Sequence, residues 1–408
     1  MRFTASALVA LGLIGCTPPE TDGLELERLM QHTVTGDIPS DRTNAYVDDI
    51  NAAAFGEQLF FEPKLSENGT VSCATCHQPE HGFAEAAAVS TGIGTTTRHT
   101  PTVLNIAWNR WFFWDGHADS AWAQALKPLE SANEHNFNRL ATVHLISSDV
   151  PLRTSYERIF GTIPNVTDPA RFPSHARPMQ DSEHPEHLAW INMDADDQHT
   201  VNTIFANIGK ALAAYQQTLN RIDAPFDQYV RALQDGDPNA ADIIGDDAIQ
   251  GMELFFGEAN CFLCHSGPAF TNLQFHNLGL TPAPWVDPGD RGRYDGIPLV
   301  ETDPFNGGGL YSDDPEFGAE KVAYISLSAE RLGQFKTPSL RNVALTPPYM
   351  HSGQLATLED VVSFYNDANQ EPLIGHRDEL IVPLGLTNAE QAAMVAFLES
   401  LTGEDSIP

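Results

Sequence analysis

Two five-residue stretches constrain this chain more than any other feature: Cys73-Ala74-Thr75-Cys76-His77 and Cys261-Phe262-Leu263-Cys264-His265. Both read C-x-x-C-H, the attachment signature of a c-type haem. Two thiols three residues apart can add to the two vinyl groups on one edge of a porphyrin. The histidine that follows then falls beneath the iron and supplies its proximal nitrogen. The alternatives are a C-x-x-C redox pair or half a zinc site. Neither requires the histidine that follows, and a four-ligand zinc site usually closes locally.

The second half of the chain echoes the first. Leu59-Phe60-Phe61 precedes the first motif and Leu254-Phe255-Phe256 precedes the second, each ending a helical pattern. This is the only internal repeat the sequence displays, and it implies two cytochrome-c-like domains. The expected fold is mainly α, with one covalently bound haem c in each domain. Expected boundaries are a signal segment at 1–16, a polar tether at 17–43, an N-terminal domain at 44–240 and a C-terminal domain at 241–408, with the join in the Asp/Gly/Pro/Asn-rich stretch from Asp235 to Asp247.

Cysteine use sharpens the picture. Four of the 5 cysteines lie in the two motifs, so no disulfide framework remains to be built. The fifth, Cys16, closes an opening segment with a basic residue, a short apolar run and small residues, the pattern of a secretory signal. Leu13-Ile14-Gly15-Cys16 is similar to a bacterial lipobox, so Cys16 is the expected lipidation site and the mature chain an exported, periplasmic, membrane-anchored lipoprotein. Beyond that anchor no stretch is long and apolar enough to span a bilayer. The net charge of −33 argues against nucleic acid as a partner. It suits a basic redox partner, or simply a solubilising surface.

Further along, Asn44–Phe61, Ser120–Leu129, Thr200–Leu219, Ala248–Phe256, Thr357–Asn366 and Asn388–Leu401 read as helices. Pro164–Asp197 reads as an irregular polar insertion in which His175, His184 and His187 crowd, with His199 just beyond; a surface metal site is the alternative. Thr281–Phe317 reads as loop. The aromatic run Trp108–Trp114 reads mainly as core.

Several segments resemble the bacterial di-haem cytochrome c peroxidases and MauG over nearly the whole mature chain. They are Leu59–Ser66 with Ser72–His77, Arg98–Asn105, Phe113-Trp114-Asp115-Gly116, both haem motifs, Phe275–Gly279, and Lys336–Thr346 running to His351-Ser352-Gly353. The resemblance implies that Trp114 lies between the haems and carries electrons. It also matches Gln124, Pro128 and Glu134 to the glutamine, proline and distal glutamate of the family. A carboxylate above an open haem can take the proton from the inner oxygen of H2O2 and return it to the outer one. His77 and His265 are the expected proximal ligands.

Two departures within the family matter. Many members place a histidine in the loop after the first haem, but Gly92–Thr97 holds none. That is similar to MauG and implies an open face in the resting state. Where many members use a methionine as second ligand of the other haem, the matching position is Tyr365, with Met350 as the alternative. The family also holds a calcium ion; Thr346 and Pro348 match its backbone ligands, whereas His99 stands at its asparagine.

The expectation is therefore an exported di-haem peroxidase that reduces H2O2 with electrons from a small cytochrome c or cupredoxin. One alternative is a MauG-like enzyme that oxidises residues of a partner protein. Another is a non-catalytic di-haem electron carrier. The resemblance also implies a homodimer as one outcome.

Overall fold

The computed structural model describes residues 23–403. Cys16 and the segment around it lie outside the described residues. The chain is helical, with one minimal β-ladder. Helix α1 (Gly23–Met30) leads the described chain, and around the first haem motif stand α2 (Ile50–Phe60), α3 (Cys73–Cys76), α4 (Ala121–Glu130), α5 (Arg139–Ser148), α6 (Val150–Phe160), α7 (Pro185–Ile191) and α8 (Ala195–Thr218). The rest comprises α9 (Pro225–Asp235), α10 (Gly245–Phe256), α11 (Arg293–Glu301), α12 (Pro315–Val322), α13 (Leu358–Asp367) and α14 (Asn388–Glu399). Strand β1 (Phe275–His276) pairs antiparallel with β2 (Phe335–Lys336).

Two large hydrophobic cores divide the described residues, beside a small third cluster of Trp111, Phe275 and Val300. The first gathers Phe55, Leu59 and Phe60 of α2, Trp122 and Leu126 of α4, and the inner face of α8. The second gathers Phe226 and Val230 of α9, Phe255 and Phe256 of α10, and Phe397 and Leu398 of α14. Each core is built on one close helix crossing. A Cβ on Gly56 of α2 would collide with the carbonyl of Ala211 in α8, and one on Gly251 of α10 with that of Ala393 in α14. Gly56 and Gly251 each stand three residues before a Leu-Phe-Phe, so the repeat marks the helix that supports each haem motif.

The structure reveals a second, longer repeat that the sequence reading passed over. Thr100-Pro101-Thr102-Val103-Leu104-Asn105 matches Thr337-Pro338-Ser339-Leu340-Arg341-Asn342. Asn105 and Asn342 both have positive φ (55° and 62°), and each opens a 3-10 turn. Both side-chain amides donate to one carbonyl, that of Arg221, at 3.0 and 2.9 Å. Thr102 and Ser339 hydroxyls make equivalent bonds to Gly82 O and Ala269 O, each at 2.6 Å. The match continues without a gap. Phe112 bridges Ala118 as Tyr349 bridges Leu355, and Ser120 caps α4 as Thr357 caps α13. Only a few identities survive because the two copies share backbone geometry more than side chains.

Other expectations need correction. The tether is not wholly a tether: Leu29 and His32 are buried, and the His32 carbonyl accepts a hydrogen bond from Arg341 at 2.9 Å. The spacing of Leu26 and Leu29 on α1 gives that segment an apolar stripe against the second core. The two cores also separate earlier than the Asp/Gly-rich stretch, because α9 already packs in the second core. Pro164–Asp197 contains α7, and Thr281–Phe317 contains α11 and the start of α12. Between Phe270 and Thr337 the second half is much longer than the first between Phe83 and Thr100. This extra segment lies along the N-terminal half through four ion pairs: Arg98–Asp290 (2.8 Å), Lys127–Asp303 (2.6 Å), Lys210–Asp313 (2.8 Å) and Arg42–Asp314 (2.5 Å).

Candidate active site

The two haem motifs adopt matching local structures. In each, the histidine N–H donates to the carbonyl of the first cysteine, at 2.9 Å (His77 to Cys73, His265 to Cys261). The four cysteines are not disulfide-bonded. Burial pushes the thiols of Cys73, Cys76 and Cys261 up to about 12. Nδ1 of His77 donates to Phe83 O at 3.1 Å, and Nδ1 of His265 to Phe270 O at 3.0 Å. Both phenylalanines have positive φ (55° and 50°), which turns their carbonyls toward the rings. A proton held on Nδ1 leaves Nε2 as the free donor atom, the arrangement a metal-ligating histidine needs. Burial lowers both imidazoles to about 4, so they stand neutral and ready to ligate.

Beside the C-terminal motif lies a cavity of about 420 Å³. Cys261, Cys264, His265, Tyr365, Met350 and Trp114 are among its walls. Its walls include what a covalently held haem would require: two thiols, a ring nitrogen and a further oxygen or sulfur donor. Tyr365 projects from α13, and burial raises its phenol well above the ordinary range. Met350 lines the same space and has a left-handed φ of 71°. Lys336 reaches this cavity too, and desolvation lowers its ammonium to about 8. A buried cation of this kind suits a haem propionate.

Beside the N-terminal motif, α4 carries Gln124 and Pro128 one turn apart on one face. Glu134 sits in the turn that follows. That turn folds back on the helix: His135 N–H donates to Pro128 O (3.2 Å) and Phe137 N–H to Leu129 O (2.7 Å). His135 Nδ1 also donates to Leu65 O at 2.7 Å, fixing the turn to the segment before the haem motif. Burial raises the Glu134 carboxyl above the ordinary glutamate range, opposed by a hydrogen bond from Ser131 and by the charge of His117. Its own charge adds to the rise of the Cys73 and Cys76 thiols, so it lies within electrostatic reach of the pair. The loop without a histidine is seated on this turn: Ile93 N–H donates to Glu134 O (2.9 Å) and Gly94 N–H to Asn133 O (3.0 Å).

Trp114 belongs to the N-terminal half yet lines the C-terminal cavity. Its indole N–H donates to His99 O at 2.8 Å, and its carbonyl accepts from Lys336 N at 2.7 Å. Next to it, Arg98 links Asp115 (2.7 Å) to Asp290 (2.8 Å), and Asp115 also holds His117 at 2.6 Å. Burial would raise the Asp115 carboxyl, but His117 and Arg98 hold it well below the usual range. Sequence reasoning assigned no role to Arg98, Asp115, Lys336 or His351; the signal was their place inside the motifs that carry the resemblance.

The family model described as di-haem cytochrome c peroxidase matches residues 51–235. The methylamine utilization protein MauG of Methylorubrum extorquens is 32% identical over 370 residues, covering 90% of this chain and 82% of that one. The chain belongs to the di-haem cytochrome c peroxidase family. Within that family, cytochrome-c peroxidase IdrP1 of Denitromonas iodatirespirans is 32% identical over 86% of this chain and 81% of its own. Cytochrome c551 peroxidase of Pseudomonas aeruginosa is 29% identical over 86% and 78%. The crystal structure of a MauG-like protein associated with microbial copper homeostasis superposes with a TM-score of 0.63 at 25% identity, covering 92% of this chain and 95% of that one. The protein is thus an oxidoreductase of the peroxidase type, and its two attachment motifs agree with a di-haem family.

The remaining expectations fall differently. Thr346 precedes the cis Pro347–Pro348 peptide, and nothing among the described residues supports calcium there. His99, at the family's asparagine, is committed to Ala87 O through Nδ1 at 3.1 Å. Among the described residues no group of three or more His, Cys, Asp or Glu side chains could hold a metal ion. The histidine-rich insertion has local uses instead. His184 caps α7 through Glu186 N (3.2 Å), and His187 accepts from Met179 N (3.0 Å). No helix among the described residues is long and apolar enough to cross a membrane.

Proposed function

We propose that the enzyme reduces hydrogen peroxide at the N-terminal haem, with Glu134 as acid–base, Gln124 orienting peroxide, and Trp114 relaying electrons from the C-terminal haem. The observation that carries this reading is the buried Glu134 carboxyl, on the turn that follows α4, whose charge is felt by the Cys73 and Cys76 thiols. When bound, haem supplies the electrons and the Lewis acidity for O–O cleavage. The balance is H2O2 plus two electrons and two protons giving two waters. Glu134 accepts the proton from the inner oxygen of peroxide and delivers it to the outer one, so the leaving group departs as water. Its raised pKa makes it a willing donor in the second half of that transfer. Pro128 offers no donor atom to the iron and keeps the face accessible.

His77 and His265 would be the proximal ligands, and Tyr365 the second ligand of the C-terminal haem, with Met350 as the rival. An anionic oxygen donor there would lower the potential and favour higher oxidation states. With the loop Gly92–Thr97 lacking a histidine, it supports a second reading, oxidation of residues on a partner protein. The similarity to MauG proteins favours that reading further. The electron donor in the first reading is a small cytochrome c or cupredoxin, and the acidic surface suits a basic one. Export, with lipid attachment at Cys16, places the enzyme in the periplasm where haem c is attached.

The test is a spectrum of the resting ferric holoenzyme, followed by peroxide with and without reductant. The reading expects one high-spin haem that binds cyanide, and an oxidised state shared by both haems when peroxide is added alone. Two six-coordinate haems that refuse cyanide in every redox state would reduce the protein to an electron carrier. Turnover with a reduced cytochrome, against modification of an added protein substrate, separates the two enzymatic readings.

A further inference from the structure

The long repeat makes one pair of residues equivalent. Trp114 sits in the hairpin closed by Phe112 and Ala118, and His351 sits at the same point of the hairpin closed by Tyr349 and Leu355. Both hairpins carry the same two left-handed residues, Phe113 and Gly116 in one, Met350 and Gly353 in the other. The two equivalent side chains meet where the halves join. We propose that His351 is the second member of the electron bridge between the haems, coupling the C-terminal haem to Trp114. This inference rests on the reading of Trp114 given above.

Two independent paths connect the residues. Through space, the His351 ring stands edge-on to Trp114, with centroids 6.5 Å apart and planes at 67°. It also stacks on Phe335 at 3.7 Å and 9°, which fixes its orientation. Through bonds, the Trp114 indole N–H donates to His99 O at 2.8 Å, and His99 N–H donates to His351 O at 2.9 Å. One residue therefore joins the tryptophan to the main chain of His351. On its other side, His351 lines the cavity shared with Cys264, His265 and Tyr365. Tunnelling rates fall steeply with each gap that lacks an intervening atom, so a ring in contact with both Trp114 and the haem cavity shortens the jump.

Charge supports the same role. Burial keeps the imidazole neutral, lowering it to about 4, while Asp290 and Arg98 act on it in opposite senses and are themselves paired. Lys336 and His276 also line that cavity. A neutral ring beside Trp114 adds no positive charge to oppose an oxidised indole. Imidazole is harder to oxidise than indole, so His351 serves as a tunnelling bridge and Trp114 as the station. In the step, one electron leaves the C-terminal haem, passes His351 and Trp114, and reduces the peroxide-oxidised N-terminal site. Hydrogen peroxide is the oxidant.

The experiment uses the ferric holoenzyme in rapid mixing with peroxide, following the two haem spectra separately. It is paired with a spectroelectrochemical titration of both midpoint potentials. His351→Leu removes the ring, His351→Phe keeps the stack on Phe335, and His351→Gln guards against a leucine variant that fails to fold. In the parent, arrival of the oxidising equivalent at the C-terminal haem establishes the Trp114 reading; its absence would overturn that reading itself. Given that arrival, His351→Leu and His351→Gln are expected to slow the transfer by about tenfold or more with both midpoint potentials unmoved, and His351→Phe to retain most of the rate. Transfer at the parental rate in His351→Leu or His351→Gln, or a slowing matched by a shifted potential, overturns the bridge.

Discussion

The two halves use one backbone plan to build unlike haem faces. Counting from the helix caps Ser120 and Thr357, the equivalent residue is Pro128 in the first half and Tyr365 in the second. Proline carries no donor atom and interrupts the last turn of α4, whereas tyrosine brings an oxygen into the cavity. The same comparison holds at Trp114 and His351, and at Leu104 and Arg341. On the proposed reading, duplicated geometry with divergent side chains would make one site that admits a small ligand and one that stores charge. The lesson is that the fold places the positions and single residues at equivalent places set the division of labour.

This comparison can be broken or sharpened experimentally. Glu134→Gln should produce the largest change, a loss of about 10²–10⁴ in the rate of reaction with peroxide while both haems remain attached, measured by stopped flow. Its pH profile carries a second check. The base form of Glu134 appears only above its raised pKa, so the parental rate should climb with pH through a midpoint above the ordinary glutamate range. In Glu134→Gln that rise should vanish. A parental profile that is flat there would remove Glu134 as the base.

Next in size is Asp227→Leu. Arg341 and Asp227 form an ion pair with side chains 1% and 2% exposed, at 2.6 Å, where the first half has only Leu104. Removing the carboxylate strands a buried guanidinium, which should cost about 3–5 kcal/mol by chemical denaturation. Denaturation curves that overlay the parent would show that the pair is dispensable. Tyr365→Phe should then free an axial position on the C-terminal haem. Cyanide should bind there tighter on the order of tenfold, checked by titration of the ferric protein. If cyanide affinity is unchanged, Met350 or another group holds that site. The smallest effect belongs to Arg42→Ala, because its pair with Asp314 is largely exposed; stability should change by no more than about 1 kcal/mol in thermal melts.

Much of this was legible beforehand. The haem motifs, the Leu-Phe-Phe helices and the spacing from Trp114 to Glu134 are local signals, and local signals survive in one dimension. The longer repeat was not legible, because Thr100–Asn105 and Thr337–Asn342 share few side chains and the extra segment before Thr337 disrupts the register. Nor could α1 be seen as packed: its apolar stripe is two leucines long, and only the second core gives it a surface to cover.

The sequence by itself displayed two haem-attachment motifs, with their thiols, histidines and order, since such a motif needs only five consecutive residues. The tertiary structure decided that Glu134 lies within electrostatic reach of Cys73 and Cys76, that Trp114 crosses into the other half's cavity, and that His351 meets it there. Those pairings join residues far apart in the chain. They exist only once two cores, each closed by a glycine-bearing helix crossing, bring the halves into contact.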